Sequence, residues 1–402
     1  VTNASATITM ASASLAGNIL INSANTIAGA STTLGITTFE LNILATASST
    51  ISAIIGTATT GSLTLSGTGG VTLSTASLHT GLTAINGTTL FYGASNVLSS
   101  GGVTVVGGTL DIAGFSDTVG AVILQNGTIT GGAGTLIGTS YSFREGTVSA
   151  ILGSSAAAVT VVATSAPADA VVTMTRDNMY TGTTTITSGI LKLGATGGGT
   201  NTPLGTTGNG TLIASGGALD LNGYTLGTAE AITSLAGTGF GASGSSNMGA
   251  IMNSSASPAT YSGALTLTAA ARINADAGVL TISGNASGNF ALTFGGFSNL
   301  TYSGVRSGTS TIVKDGISTL TLSNGNSSYT GATTISVGTV KLGAISVGGT
   351  NSPLGTTGGA TAITAGARLD LNGFSLGIAE PITNLNGVGY GLGDFASGAI
   401  MN

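Results

Sequence analysis

Tyr180-Thr-Gly-Thr-Thr-Thr-Ile-Thr-Ser-Gly-Ile-Leu-Lys-Leu-Gly194 decides the fold, because it occurs again as Tyr329-Thr-Gly-Ala-Thr-Thr-Ile-Ser-Val-Gly-Thr-Val-Lys-Leu-Gly343. Both copies alternate apolar residues with Thr, Ser or Lys, which is the period-two pattern of a half-buried β-strand. Glycines divide the pattern into short runs, so we expect them to be turn residues that are structural in the repeat. These glycines are Gly182, Gly189, Gly194, Gly331, Gly338 and Gly343.

Two further blocks follow each copy in the same order. Thr200-Asn-Thr-Pro-Leu-Gly-Thr-Thr-Gly208 recurs as Thr350-Asn-Ser-Pro-Leu-Gly-Thr-Thr-Gly358, and Leu219-Asp-Leu-Asn-Gly223 recurs as Leu369-Asp-Leu-Asn-Gly373. The Asn-Gly steps of the second block predict a turn. Its predicted structural residues are Asn222, Gly223, Asn372 and Gly373.

A diverged copy lies upstream, where His79 stands in the place of Tyr180 and Leu110–Phe115 resembles the Leu-Asp-Leu-Asn-Gly block. We therefore expect one continuous solenoid over residues 1–402. It would contain a diverged copy at about 61–169, a full copy at 170–318 and a truncated copy at 319–402, with further turns over 1–60.

The composition excludes several classes of protein. Of 402 residues, 68 are Gly, only 5% are charged and 41% are hydrophobic, so the chain has enough apolar residues for a core and is unlike a charged disordered protein. A net charge of −5 with 8 Lys and Arg excludes a basic surface for nucleic acid. The absence of Cys excludes disulfides and Cys-ligated metals.

A membrane span is not expected, although the mean hydropathy is +0.49. The best candidate, residues 146–168, is interrupted by Ser and Thr and is no solid apolar run of about 20 residues. No signal peptide is visible at Val1. The last residues repeat Ala250-Ile-Met-Asn253. We expect the chain to be either the ordered portion of a larger protein or a filament subunit.

Short strands, frequent turns and the lack of a linker predict an all-β fold, a right-handed parallel β-helix. A sandwich would end in a domain boundary within about 100 residues, and a propeller needs a motif every 40–50 residues or so. In a β-helix the Leu, Ile and Val of each strand face inward, while Thr and Ser face outward.

At this point the residues resemble the autotransporter-associated β-strand repeat. The resemblance is carried by Val171–Gly194 and Leu320–Gly343, with Leu63–Gly93 as a diverged copy. It implies a large secreted passenger region, folded as a parallel β-helix on the surface of a bacterium. It does not point to an activity.

The titratable residues are interpreted as structural. His79 occupies a repeat position and is expected to be a packing or turn residue. The repeat contains equivalent acidic residues, which are Asp111, Asp220 and Asp370 in one position and Glu230 and Glu380 in another. Because they recur in each copy, they do not fit one unique active site. We expect the repeated Asp to face solvent beside the Asn-Gly turn, with weak calcium or glycan contact as the alternative.

Two other groups of residues complete the search for a site. The neighbouring charges Arg144-Glu145, Arg176-Asp177 and Lys314-Asp315 are expected in loops or corners. Paired aromatic residues are expected in the core or at corners, with outward stacking as the alternative: Tyr180, Tyr224, Tyr329, Phe374, Phe240 and Tyr390. No catalytic residue, metal site or cofactor is predicted.

The predicted function is therefore that of a non-enzymatic, secreted bacterial cell-surface protein: a stalk, fibre or adhesin. Its low charge favours self-association, lateral or end to end. Glycans or proteins of a host or neighbouring cell are the other expected partners. A β-helical carbohydrate-active enzyme or tailspike-like depolymerase is the alternative, and a surface-layer protein is a third.

Overall fold

The structure is a computed structural model of the 402-residue chain. It describes residues 7–9, 18–24, 26–28, 33–34, 40–56, 60–162, 170–240, 249–347, 349–387, 389 and 398–402. The chain divides into two compact units. The first comprises Val1–Thr164, Asp169–Thr183 and Pro203–Thr206, and the second comprises Ser165–Ala168, Thr184–Thr202 and Thr207–Asn402.

The described strands of the first unit are short, as the alternation predicts. They are Thr7–Thr9, Asn18–Ile21, Thr26–Ala28, Thr33–Leu34, Leu41–Ala45, Ser49–Ile51, Ile54–Ile55, Leu63–Ser66, Gly70–Leu73, Thr83–Asn86, Thr89–Tyr92, Val103–Asp111, Asp117–Thr118, Ala121–Thr130, Thr135–Ile137, Ser140–Phe143, Gly146–Val148, Ile151–Leu152, Val159–Val161, Val171–Met174 and Gly205–Thr206.

The second unit is built in the same way. Its described strands are Thr184–Ile186, Gly189–Leu193, Asn201–Thr202, Thr211–Ile213, Gly217–Asp220, Ile232–Gly237, Ile251–Asn253, Ala259–Tyr261, Leu265–Ala275, Leu280–Ile282, Ala286–Ser287, Leu292–Gly296, Leu300–Tyr302, Ile312–Lys314, Thr319–Leu322, Thr333–Ile335, Gly338–Leu342, Asn351–Ser352, Gly355–Thr356, Thr361–Ile363, Ala367–Asp370, Ile382–Leu385 and Ile400–Met401.

Strands of successive turns pair in parallel and in register, which makes each unit a β-solenoid. In the first unit Leu41 pairs with Leu63 and Leu63 with Thr83. In the second, Leu280, Leu300 and Leu320 pair one after another at 20-residue intervals. The predicted all-β class and parallel solenoid are therefore confirmed.

The core of each unit is a stack of these inward side chains. Leu280 and Leu320 are 0% exposed and Leu300 is 2% exposed, whereas the Thr residues between them are half-buried on the outer side. Since every inward residue packs on its equivalents one turn away, apolar surface is removed from water at each turn. Among the residues that the structure describes, there is no long apolar helix of the kind that crosses a membrane.

The turns that carry the repeat blocks are longer than the others. Val340 pairs with Leu369 and Leu191 with Leu219, intervals of nearly 30 residues rather than 20. In the second copy the additional residues include an antiparallel hairpin, in which Asn351 pairs with Thr356. Ser352 and Leu354 of this hairpin are both 0% exposed.

Candidate functional site

The predicted turn glycines lie where a side chain would clash or where the backbone is left-handed. A Cβ atom at Gly182 would overlap the carbonyl oxygen of Ala157, and one at Gly331 would overlap that of Ser310. Gly189 and Gly338 have φ angles of 86° and 74°. L-residues rarely adopt such angles. Gly194 and Gly343 directly follow the strands that end at Leu193 and Leu342.

The repeated Asp forms the turn that follows its strand. A carboxylate oxygen of Asp220 accepts the backbone N–H of Asn222 at 2.9 Å, and Asp370 accepts that of Asn372 at 2.8 Å. In the diverged copy Asp111 accepts the N–H of Ala113, also at 2.8 Å. The accepting Asp stabilises a left-handed residue two positions later, with φ angles of 50° at Asn222, 51° at Asn372 and 49° at Ala113.

The Asn and Gly of this β-turn form hydrogen bonds to neighbouring turns of the solenoid. The Asn222 amide donates to the carbonyl oxygen of Leu193 at 2.9 Å, and Asn372 donates to that of Leu342 at 3.0 Å. The Gly223 N–H donates to Oδ1 of the buried Asn253 at 2.8 Å. The turn is thus joined to the strands before and after it.

The prediction that the repeated Asp faces solvent is wrong for Asp220, which is 2% exposed. Its side chain points away from the core, but the next turn covers it: Ser254 donates its N–H at 3.1 Å and its hydroxyl at 2.6 Å. Asp111 and Asp370 remain half-buried.

The repeated tyrosine supports the Pro-Leu-Gly hairpin. Tyr329 is fully buried, its backbone carbonyl accepts the N–H of Thr356 at 3.0 Å, and its hydroxyl lies 2.5 Å from Thr333 Oγ1. Gly355 has a φ of 94°, and a Cβ atom there would lie 3.0 Å from the Tyr329 ring. Tyr180 and Gly205 repeat this contact in the first copy.

His79 is a buried equivalent of these tyrosines. Its Nε2 lies 2.9 Å from the Thr83 hydroxyl, which repeats the four-residue spacing of Tyr329 and Thr333. Burial lowers the pKa of His79 to about 4, so the imidazole is neutral at pH 7. The core position of Tyr180 and Tyr329 is confirmed. Tyr224, Phe374 and Phe240 are half-buried, and Tyr390 lies outside the described residues.

Glu230 is a buried carboxyl group that joins two parts of its repeat copy. Its side chain is 1% exposed, with Oε2 accepting from the Thr202 hydroxyl at 2.9 Å and Oε1 from the Thr211 hydroxyl at 2.6 Å. Burial raises the pKa of Glu230 to about 7, and the hydrogen bonds from the two hydroxyls offset part of this increase. The half-buried Glu380 accepts from Thr361 at 2.8 Å, and burial raises its pKa to about 7 as well.

A charged column runs over several turns on the outer side of the second unit. Lys192 pairs in register with Asp220, and through the next turns this column continues by way of Met252 to Asn274 and Gly295. We use the name charged column for the charged side chains at or beside these positions, together with the amide that links them: Lys192, Asp220, Arg272, Asn274, Asp276 and Asp315. The Lys192 ammonium lies 3.8 Å from Asp220 Oδ2.

Arg272 crosses one turn to reach Asp315. Its two terminal nitrogens bind the two carboxylate oxygens of Asp315 at 2.6 and 2.9 Å, and its Nε donates to Asn274 Oδ1 at 2.8 Å. The guanidinium passes over Gly295, where a Cβ atom would overlap it. A side chain at position 295 would therefore displace the guanidinium from the geometry of this bidentate ion pair.

Asp276 is the other unusual group of the charged column. Its Oδ1 accepts from the Asn274 amide at 3.1 Å, while its buried Oδ2 has no hydrogen-bond partner within the described ranges. Burial raises the pKa of Asp276 to about 6; the Asn274 hydrogen bond and Arg272 lower it, and the charge of Asp220 adds to the increase.

The expectation that Lys314 and Asp315 lie in a loop or at a corner is wrong for Lys314. Lys314 ends a strand, is 1% exposed and pairs with the inward residues Phe294 and Ile335. Its ammonium donates to the corner carbonyl oxygens of Gly316 and Val337. Burial lowers its pKa to about 8.

Sequence reasoning missed Arg272 and Asp276, since neither belongs to a repeat block. The signal was the alternation Arg272-Ile-Asn-Ala-Asp276, which places three polar side chains on one side of a strand. Within the described ranges, no three His, Asp or Glu side chains come together in a way that could hold a metal ion.

Two segments match the family model of the passenger-associated transport repeat, residues 170–193 and 312–342. They coincide with the two Tyr-Thr-Gly copies, so the resemblance to the autotransporter passenger repeat is confirmed. No curated protein and no solved structure matches the chain. The repeat and the solenoid together fit a secreted β-helical passenger.

Proposed function

We propose that the chain forms part of a passenger region that is secreted to the bacterial cell surface and acts there as a non-enzymatic stalk, fibre or adhesin. The passenger-repeat match on a parallel solenoid carries this proposal. The repeated carboxyl groups support it, because Asp220 is used to form a turn and Glu230 to join two hydroxyls of its repeat copy.

Surface exposure can be tested on intact cells that produce the protein. An antibody against the chain should label them without permeabilisation, and electron microscopy of the purified protein should show elongated particles. Label that appears only after permeabilisation would contradict the surface location, and compact globules would contradict the stalk.

An exposed apolar corner supports self-association. Phe297, Ile317 and Val337 lie at the same corner of three successive turns and are 50%, 55% and 37% exposed. Each corner joins strands that pair in register with those of the next turn. Exposed apolar groups on a protein surface commonly mark an interface. We propose a second copy of the chain as the partner.

The self-association proposal is tested by sedimentation velocity. The Phe297→Asp and Ile317→Asp variants should lose association, whereas Phe290→Asp, which changes a 43% exposed phenylalanine elsewhere, should keep it. A parent protein that stays monomeric at high concentration would overturn this part of the proposal.

Glycan cleavage is the second candidate function, and Asp276 is the observation that favours it. Burial raises the pKa of Asp276 to about 6, near the charge of Asp220. A carboxyl group whose pKa is raised by burial can serve as the general acid of glycoside hydrolysis, which pairs it with a second carboxyl group. Release of reducing ends from bacterial polysaccharides by the parent, and its loss in Asp276→Asn but not in Asp177→Asn, would establish this activity in place of the first proposal.

A further inference from the structure

One outer side of the second unit carries a regular array of hydroxyl groups. Four successive strands contribute a Thr-x-Ser triplet each, so that two columns of hydroxyls run at right angles to the strands. The Thr column is Thr260, Thr281, Thr301 and Thr321, and the Ser column is Ser262, Ser283, Ser303 and Ser323. We call these eight residues the hydroxyl face.

The register of the hydroxyl face is held by the backbone. Thr281 pairs with Thr301 and Thr301 with Thr321. In the Ser column, Ser303 donates its N–H to the carbonyl oxygen of Ile282 at 2.9 Å, and Ser323 donates to that of Tyr302 at 2.9 Å. Each column therefore repeats at the strand spacing of about 4.8 Å, and the two columns stand about 6.6 Å apart along a strand.

The side chains beneath the hydroxyl face are rigidly packed. Tyr261 and Ile282 are 0% exposed, and Tyr302 and Leu322 are 2% exposed. β-branched threonine has few rotamers on such a strand. The positions of the threonine hydroxyls are thus largely fixed before any ligand arrives.

These hydroxyls are available to water. Within the described ranges, the hydroxyls of Thr281, Thr301 and Thr321 make no hydrogen bond to the protein, and neither do those of Ser283 and Ser303. The eight residues are uncharged, and the array ends at the next turn, where Lys341 continues the Thr column. The eight residues of the hydroxyl face are thus free of charge, with Lys341 at its border.

We propose that the hydroxyl face binds ice. The repeat of about 4.8 Å along each column is close to the shorter oxygen repeat in a prism plane of ice, and the two columns are separated by somewhat less than the longer repeat. Water molecules that are hydrogen-bonded to fixed hydroxyls at these distances would continue the ice lattice, and the threonine methyl groups between them would exclude disordered water. This property is independent of the surface role proposed above.

The experiment uses the full chain in ice that grows slowly from a solution of the fluorescently labelled protein. We expect the parent protein to enter the ice, to shape the crystal on prism planes and to inhibit recrystallisation. Exclusion of the parent from ice, as for an ordinary globular protein, would overturn the proposal. Binding to crystalline chitin or cellulose without entry into ice would overturn it too.

Matched variants locate the activity. Thr281→Lys and Thr301→Lys place a bulky charge in the middle of the hydroxyl face and should abolish entry into ice. Thr334→Lys makes the same change on the outer side of a different sheet and should leave it intact. Circular dichroism confirms that each variant is folded. Equal entry of folded Thr301→Lys and Thr334→Lys would contradict the assignment to this face.

Discussion

At the scale of the residue, glycine has two distinct uses in this chain. At Gly338 the backbone requires a left-handed angle, with φ of 74°. At Gly295 the requirement is space, because the Arg272 guanidinium occupies the volume of the missing Cβ atom. At this second position, the absence of a side chain leaves room for an ion pair between turns of the solenoid.

The Gly295→Ala substitution should therefore break the Arg272–Asp315 pair. We expect a loss of about 1–3 kcal/mol in the free energy of unfolding, measured by urea denaturation, since a partly buried ion pair loses its geometry. Gly114→Ala is the control, because a Cβ atom there meets nothing within 4 Å. In the Asp315→Asn background the cost of Gly295→Ala should shrink, and full additivity would contradict the coupling.

Glu230 makes the stability of the fold depend on pH. Its pKa is about 7 in the folded chain, above the ordinary value of 4.5, so the folded state binds the proton more tightly than the unfolded state. Its contribution is fully present below pH 4.5 and is lost as the pH rises through 7.

The Glu230→Gln substitution should remove this dependence. Relative to the variant, the parent is expected to lose roughly 3 kcal/mol of stability between pH 4.5 and pH 7.5. Urea unfolding at several pH values measures the difference. Glu380→Gln should show the same sign with a smaller amplitude, because Glu380 is half-buried. A difference that stays constant with pH would contradict the role assigned to burial.

At the scale of the element, the hairpin Asn351–Thr356 is an insertion that one tyrosine and one leucine hold against the core. Leu354 is 0% exposed, and Tyr329 packs beside Gly355. A short two-stranded hairpin is marginally stable alone, so its order depends on these contacts.

Removal of the leucine side chain should loosen this element. Leu354→Ala is expected to cost 2–5 kcal/mol or so in the free energy of unfolding, as truncations of buried leucine do. Ile345→Ala removes a similar side chain that is 57% exposed in the same repeat copy and should cost less than about 0.5 kcal/mol. Equal shifts of the two urea midpoints would show that the hairpin is not anchored in this way.

At the scale of the whole molecule, low charge is the dominant property. The formal net charge of −5 at pH 7 falls toward zero near the isoelectric point of about 4.5. Small net charge removes the repulsion that keeps proteins apart.

Association should therefore increase as the pH is lowered from 8 to 5. Sedimentation velocity at fixed ionic strength is expected to show a growing fraction of larger species, and this growth should be weaker in the Ile317→Asp variant. A distribution of sedimenting species that does not change with pH would contradict the dependence of association on net charge.

The sequence alone predicts the class of fold because two periods coincide in it. Alternation within strands such as Leu320–Leu322 assigns the inward and outward sides, and the recurrence of Tyr180 at Tyr329 indicates a repeating architecture. The first signal is local and the second is a recurrence along the chain, so both can be read without knowing which strands become neighbours. The passenger-repeat match covers these same segments.

The polar arrangements depend instead on the contacts between turns. Burial of Asp220 requires Ser254 above it, the Arg272–Asp315 pair spans two turns, and Glu230 meets Thr202 and Thr211 from distant parts of its copy. Turn lengths of 20 and nearly 30 residues decide these partners, and turn length is fixed by hairpins and corners rather than by alternation. The sequence itself thus determined which segments form strands. The environment of each charge was decided only by the tertiary structure, because desolvation and pairing depend on which turns stack together.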